Sequence, residues 1–194
     1  MRRFRGIIAV EGMDGTGKTT ITNKLQEIFG NSICVYHRTQ KKRITAHILE
    51  GTLFQKFHAL QIPVYLLLSI VNYFRCPFTK DAKVLIMDRC FLSNICYFYP
   101  KALTNKWIYR MAMLFEINLL PDSIFIIDDD EEVARIRDQN RKTVEWLAYA
   151  RRNYLRAIQS TTLSKFRITI IPATVSLDQK ALLIASKVES YMGE

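Results

Sequence analysis

The segment Gly12-Met13-Asp14-Gly15-Thr16-Gly17-Lys18-Thr19 constrains this chain more than any other, because it fills the pattern GxxxxGK[ST] between two apolar runs of different period. Ile7, Ile8, Ala9 and Val10 precede it as an uninterrupted strand-like run, and Ile21, Leu25 and Ile28 follow it at helical spacing. A strand, a glycine-rich turn and a helix in that order read as a phosphate-binding loop. The glycines let successive backbone N–H groups face one anion, and the helix N-terminus adds a favourable dipole. Lys18 can reach the β- and γ-phosphates and the Thr19 hydroxyl can coordinate Mg²⁺, so the parts suit a nucleoside triphosphate.

The rest of the chain continues a βα alternation. Strand-like runs fall at residues 6–11, 32–36, 83–88, 123–128 and 166–171, separated by stretches of helical period. Val84, Leu85, Ile86 and Met87, like Ile124, Phe125, Ile126 and Ile127, are apolar at every position, the mark of strands covered on both faces in a parallel sheet. Helices are predicted after the loop and over residues 58–74, 105–119, 131–137, 143–162 and 177–191. At 194 residues and 49% hydrophobic content the chain supports one core, so residues 1–194 are expected to form a single domain. Pro63, Pro77, Pro100, Pro121 and Pro172 fall at element boundaries, and no repeat or linker interrupts the series. The expected fold is α/β, a five-stranded parallel sheet with helices on both faces. Ligands bind such sheets at the carboxyl ends of the strands, which should bring Asp14, Arg38, Asp88 and Arg89 to one crevice.

Composition excludes several classes. The apolar stretches near residues 62–71 and 111–120 are short and broken by Ser69, Asn72, Glu116 and Asn118, so no bilayer span is expected. The basic start, Met1 to Arg5, meets the glycine-rich loop after a few residues and reads as the lead into the first strand, not as a signal peptide. Cys34, Cys76, Cys90 and Cys96 show neither CxxC pairing nor clustered histidine, which points to a reducing cytoplasm and away from zinc or a disulfide framework. Lys and Arg number 28 against 18 Asp and Glu, a net charge of +10 that attracts polyanions or small phosphorylated ligands. No signature for reading nucleic acid accompanies that charge, so no specific nucleic-acid partner is expected.

Beyond the loop, Asp88 and Arg89 end the third strand-like run. Asp88 could hold Mg²⁺ directly or through water, and Arg89 could grip an acceptor phosphate bidentately; the bland alternative is an ion pair at a strand end. Arg135, Arg137, Arg141 and Lys142 surround Asp138, Gln139 and Asn140 between two helical stretches, a composition suited either to a lid that closes on a transferred phosphoryl group or to a solvated helix face. In the acidic run Asp128 to Glu132, capping and dipole effects favour a helix N-terminus over a metal site. Arg38, after the second strand-like run, suits an acceptor-binding loop. His37, His47 and His58 share no ligand spacing and read as surface or internally satisfied side chains.

These motifs together resemble the thymidylate kinase family of nucleoside monophosphate kinases. The run from Val10 to Thr20 is similar to that family's loop, which carries an acidic residue at the place of Asp14. Asp88-Arg89-Cys90 resembles its Asp-Arg-Tyr motif, with Leu92 and Ser93 following; Leu120-Pro121-Asp122 leads into the fourth strand in the family manner, and the segment from Val133 through Arg137 to Tyr154 is similar to its lid and following helix. The resemblance implies a P-loop kinase fold with a short helical lid near residues 135–145, MgATP as donor, a nucleoside monophosphate as acceptor, and a homodimer. Gly12, Asp14, Gly15, Thr16, Gly17, Lys18, Thr19 and Thr20, with Arg137 from the lid, then bind the donor, and Thr19 and Asp88 hold Mg²⁺. Asp14 contacts the acceptor sugar, Arg38 and Arg89 its phosphate, and Asn72 and Tyr73 its base. Some members carry a catalytic Arg at the place of Gly15 and others in the lid; here that logic selects Arg141, with Arg137 and Lys142 as rivals, alongside Lys18, Asp88 and Arg89.

The chain departs from the family at three places. Its Arg-Glu-Pro-Gly loop is reduced to Arg38-Thr39-Gln40-Lys41, Cys90 replaces an aromatic residue, and the base-reading Arg falls on Tyr73. Losing a charge-assisted hydrogen bond to a base edge costs on the order of 1 to 3 kcal/mol, enough to change specificity. Two other readings keep the loop: a kinase of a non-nucleotide metabolite, and a nucleotide-binding regulatory protein that hydrolyses ATP slowly or not at all.

Overall fold

Gly6–Glu11 (β1), Ile33–His37 (β2), Val84–Asp88 (β3), Ser123–Ile127 (β4) and Arg167–Ile171 (β5) form one parallel sheet in the order β2-β3-β1-β4-β5. The computed structural model describes residues 4–37, 81–98, 103–105, 120–139 and 141–193. The helix expected over residues 58–74, most of that over 105–119, and Arg38, Asn72, Tyr73 and Cys76 lie outside them.

The strict period of two along the central strands sorts the core into two layers. Ile8 and Val10 of β1, Val84 and Ile86 of β3, and Phe125 and Ile127 of β4 face one layer. That layer is closed by Ile21 and Leu25 of α1 (Lys18–Phe29) and by Ala181, Ile184, Ala185 and Val188 of the last helix, Leu177–Gly193. Ile7, Ala9, Leu85, Met87, Ile124 and Ile126 face the other, against Phe91, Leu92 and Ile95 of α2 (Phe91–Phe98) and against Tyr154 and Ala157. Tyr154 and Ala157 belong to α4, Val144–Ile158, which follows α3, Glu131–Arg137; the last helix is thus α5.

The expected strands hold to within one residue at either end, and α3 has the predicted bounds. Three differences have local causes. Helix α2 is not among the predicted helices: FLSNICYF is a short, mostly apolar run of eight residues, too brief for a helical period to be told from a strand's. The helix predicted over residues 143–162 stops at Ile158, and a separate turn of 3₁₀ helix, Thr161–Leu163, follows Ser160, whose hydroxyl bonds the Leu103 carbonyl at 2.5 Å. Strand β5 is an edge strand, buried fully only at Ile171, whereas β1, β3 and β4 are buried at every position as their sequences required. Cys34, Cys90 and Cys96 are buried. Among the described residues no helix is long and apolar enough to cross a membrane.

Candidate active site

Helix α1 starts on Gly17 in the left-handed region, with no side-chain cap, so its first N–H groups face the mouth of the glycine-rich loop where an anion would satisfy them. Inside the loop the Lys18 side chain folds back: Nζ donates to the Met13 carbonyl at 2.5 Å and to Thr16 Oγ1 at 3.2 Å, and the residue is 5% exposed. Burial, with Arg89 pushing the same way, lowers this amine to about 7 against the pull of Asp14, Asp88 and Glu11. A triphosphate supplies the negative charge that restores the ammonium form. Binding to metal-free protein at pH 8 should therefore take up most of one proton, seen as a calorimetric binding enthalpy that varies with the ionisation heat of the buffer; an enthalpy independent of buffer would mean the amine was already charged.

Gly15 has φ +83°, and a Cβ built on it would overlap the backbone of Ala134 in α3. The loop and the base of the predicted lid are therefore in direct backbone contact.

The ends of β1, β2 and β3 bring the remaining groups to this loop. Asp88, 1% exposed, accepts from the Thr19 hydroxyl at 2.7 Å and lies 3.2 Å from His37 Nδ1, both on Oδ2. Burial works against its charge, but the His37 and Thr19 hydrogen bonds and the Lys18 and Arg89 charges outweigh that and hold its carboxyl below the usual range. The Thr19 hydroxyl spends its proton on Asp88, which leaves its oxygen lone pairs for a cation. An ionised carboxylate beside a hydroxyl is a hard oxygen donor set, and it fits Mg²⁺.

Arg89 also sits at positive φ, +77°, a costly conformation for an arginine that is fixed here by its N–H bond to the Val10 carbonyl at 3.1 Å. Its guanidinium donates to the Gly12 carbonyl at 3.0 Å and to Ser93 Oγ at 3.1 Å, and forms an ion pair with Asp14. The Tyr97 ring lies 5.7 Å from it, and the Tyr97 hydroxyl accepts from Asp14 N at 3.1 Å. Burial opposes the charge of Arg89, yet Tyr154, Tyr97, Asp14 and Glu11 raise its pKa, so it is a permanent cation.

Sequence reasoning missed what holds Arg89. Glu11, fully buried, accepts from Cys90 N at 2.6 Å, Ser93 N at 3.2 Å, Ser93 Oγ at 2.7 Å and the Tyr154 hydroxyl at 3.0 Å. It thus caps α2 and ties that helix to α4. A charged residue inside an otherwise apolar strand-end run was the available signal.

Asp130 caps α3, as expected, and the rest of the acidic run forms ion pairs that the sequence did not show. Asp130 accepts from Glu132 N and Val133 N at 2.9 and 3.2 Å, and Asp128 binds Arg151 bidentately at 2.7 and 2.9 Å. Glu131 adds a 3.2 Å bond to Arg151, and Asp129 pairs with Arg137 at 2.5 Å. Arg137, the last residue of α3, is thus paired with Asp129 just past β4, and Lys142 lies 5.7 Å from the Trp146 ring. Arg141 donates to Gln139 Oε1 at 3.1 Å. Asp138, between them, is raised by partial burial and by the like charge of Asp14, while Arg141, Lys142 and Lys18 pull it back. With the approach of Gly15 to the Ala134 backbone, this sets the turn after α3 on the side of the glycine-rich loop. His37, read from sequence as a surface or satisfied side chain, is of the satisfied kind, and its partner is the central carboxylate.

Comparison with known proteins gives the family and the fold. A family model described as "Thymidylate kinase" matches residues 10–182. A "Probable thymidylate kinase 1" of Saccharolobus solfataricus is 27% identical over 193 residues, spanning 91% of this chain and 98% of its own. A "Thymidylate kinase" of Wolbachia pipientis is 32% identical over 146 residues, spanning 69% and 70% of the two chains. The fold is shared with the crystal structure of thymidylate kinase from Ehrlichia chaffeensis, with a TM-score of 0.62 at 20% identity over 94% of this chain and 98% of that one. With the glycine-rich loop, the Asp88-Arg89 pair and the basic segment after α3 all falling within the matched residues, the chain belongs to the thymidylate kinase family of nucleoside monophosphate phosphotransferases.

Proposed function

We propose that this protein is a cytoplasmic, Mg²⁺-dependent kinase that moves the γ-phosphoryl group of ATP to the phosphate of a nucleoside monophosphate. The observation that carries the reading is the convergence of Lys18, Thr19, Asp88 and the Asp14–Arg89 pair on one buried strand-end crevice. Mere binding of a nucleotide needs no second cation site facing the first. In the transfer an acceptor phosphate oxygen bonds to the γ-phosphorus as the bond to the β–γ bridging oxygen breaks, and no protein nucleophile is required. Lys18 and the loop amides of Gly12 to Thr20 hold the donor phosphates. Arg89 holds the acceptor phosphate and Asp14 its sugar, with Arg38, Asn72 and Tyr73 assigned to the acceptor on the family pattern. Thr19 and Asp88 would hold Mg²⁺, which when bound neutralises charge shared by the β- and γ-phosphates. The absence of CxxC pairing among the four cysteines supports the reducing compartment, and the family pattern supports a homodimer, measurable by sedimentation.

Of the three lid candidates Arg141 supplies the transition-state charge, since Arg137 is already paired with Asp129. Arg141→Ala should lower kcat about 10² to 10³-fold with a smaller change in the KM for ATP. Lys142→Ala should lose less than tenfold. Steady-state kinetics of the two variants decides the assignment, and the reverse order would move the role to Lys142.

The proposal is tested by ADP production from MgATP across a panel of nucleoside monophosphates with a no-acceptor control. Thymidylate heads the panel because the relatives are named for it. Tyr73 in place of the family's Arg makes base preference the property in which this chain departs, so stimulation by another monophosphate would assign selectivity to Asn72 and Tyr73. Stimulation by none of them would overturn the reading.

A further inference from the structure

Parallel pairing of β2 with β3 sets His37 opposite Asp88 in register, at the last residue of both strands. His37 Nδ1 and Thr19 Oγ1 meet the same carboxylate oxygen, Oδ2, at 3.2 and 2.7 Å, and among the described residues no hydrogen bond falls on Oδ1. The His37 side chain is 15% exposed and that of Asp88 1%, so water competes little with this contact. A carboxylate held by one hydroxyl can still turn about its Cβ–Cγ bond. A second donor on the same oxygen fixes the plane and directs the other oxygen consistently.

We infer that His37 is a positioning residue for the divalent cation: its Nδ1–H donates to Asp88 Oδ2, fixes the carboxylate with Thr19, and presents Oδ1 to the metal. The inference rests on the reading of Thr19 and Asp88 as the pair that holds Mg²⁺. Groups that hydrogen-bond a ligating carboxylate commonly tune metal affinity by 10 to 100-fold. His37 reaches the site through strand pairing alone, since 51 residues separate it from Asp88. It also immediately precedes Arg38, the residue assigned to the acceptor phosphate, so one strand end would serve both the metal and the acceptor.

The test uses the intact protein and adenylyl imidodiphosphate, which cannot transfer its terminal phosphoryl group. Its affinity is measured by calorimetry with Mn²⁺ and with EDTA, and the ratio of the two is the metal enhancement. Fold damage weakens both measurements and leaves the ratio unmoved, whereas loss of metal positioning lowers the ratio. His37→Leu should lower the enhancement about tenfold with the metal-free affinity within about twofold of wild type. His37→Asn, whose amide N–H can take the place of Nδ1–H, should retain most of it, and His37→Gln, which places its amide one methylene further out, should resemble leucine. An enhancement in His37→Leu within about twofold of wild type, with Asp88→Asn abolishing it, would overturn the role of His37 and leave that of Asp88 intact. Enhancement that survives Asp88→Asn would instead remove the reading on which the inference stands.

Discussion

Lys18→Ala should abolish phosphotransfer almost completely, by about 10² to 10³-fold or more in kcat, while the protein stays folded. The amine is already placed inside the loop: Nζ bonds the Met13 carbonyl and Thr16 Oγ1 before any ligand arrives, and bound phosphate charge makes it an ammonium. During transfer, negative charge accumulates on the β–γ bridge and the departing group, and a preorganised cation there stabilises the transition state more than the ground state. The structural cost is small. Burial already pushes the amine down to about 7, so the fold gains little from its charge. What is lost is two hydrogen bonds, to the Met13 carbonyl and to Thr16 Oγ1, about 1 kcal/mol each, or roughly 2 to 4 °C in Tm apiece for a chain of this size. Turnover close to wild type in a well-folded Lys18→Ala protein would contradict the role.

Gly15 carries the second large effect. At φ +83° any side chain meets backbone strain of about 1 to 2 kcal/mol, and its Cβ would also overlap the Ala134 carbonyl of α3. Gly30 provides the control: it too has positive φ, +52°, but a Cβ there meets nothing within 4 Å. Gly30→Ala should therefore cost only the backbone term, while Gly15→Ala adds a displacement of α3 and should lower Tm by about 4 to 8 °C or more. Because α3 leads directly to Arg137 and Arg141, activity should fall at least about tenfold. Gly15→Arg should lose activity rather than gain a catalytic arginine, since the lid base occupies the space its side chain would need. Equal Tm losses in Gly15→Ala and Gly30→Ala, or increased turnover in Gly15→Arg, would show that α3 yields easily.

What was legible in the sequence was local or periodic. The loop was visible because GxxxxGK[ST] specifies a backbone path, and α3 because Asp130 caps it and Glu131 and Glu132 favour its first turn. Strands β1, β3 and β4 were visible because burial on both faces demands apolar residues at each position. The site's supporting contacts were not, because each depends on which strand lies beside which. Glu11 joins Tyr154 across 143 residues, Arg89 joins Asp14 across 75, and His37 meets Asp88 only because β2 pairs with β3. Nothing in the spacing of His37 marks it as a partner of the central carboxylate. The Asp128–Arg151 pair was hidden in the same way: the run Asp128 to Glu132 reads as one acidic patch until α4 returns along it.

The central claim is transfer of the terminal phosphoryl group between two nucleotides bound in one crevice at the carboxyl ends of the strands. It is tested most directly by following the label of γ-³²P-ATP in the presence of thymidylate and Mg²⁺, with the Lys18→Ala protein and a no-acceptor reaction alongside. The account predicts label in a nucleoside diphosphate product with wild-type protein and none above background with Lys18→Ala. Label released only as inorganic phosphate, at a rate that neither thymidylate nor any other nucleoside monophosphate changes, would contradict it.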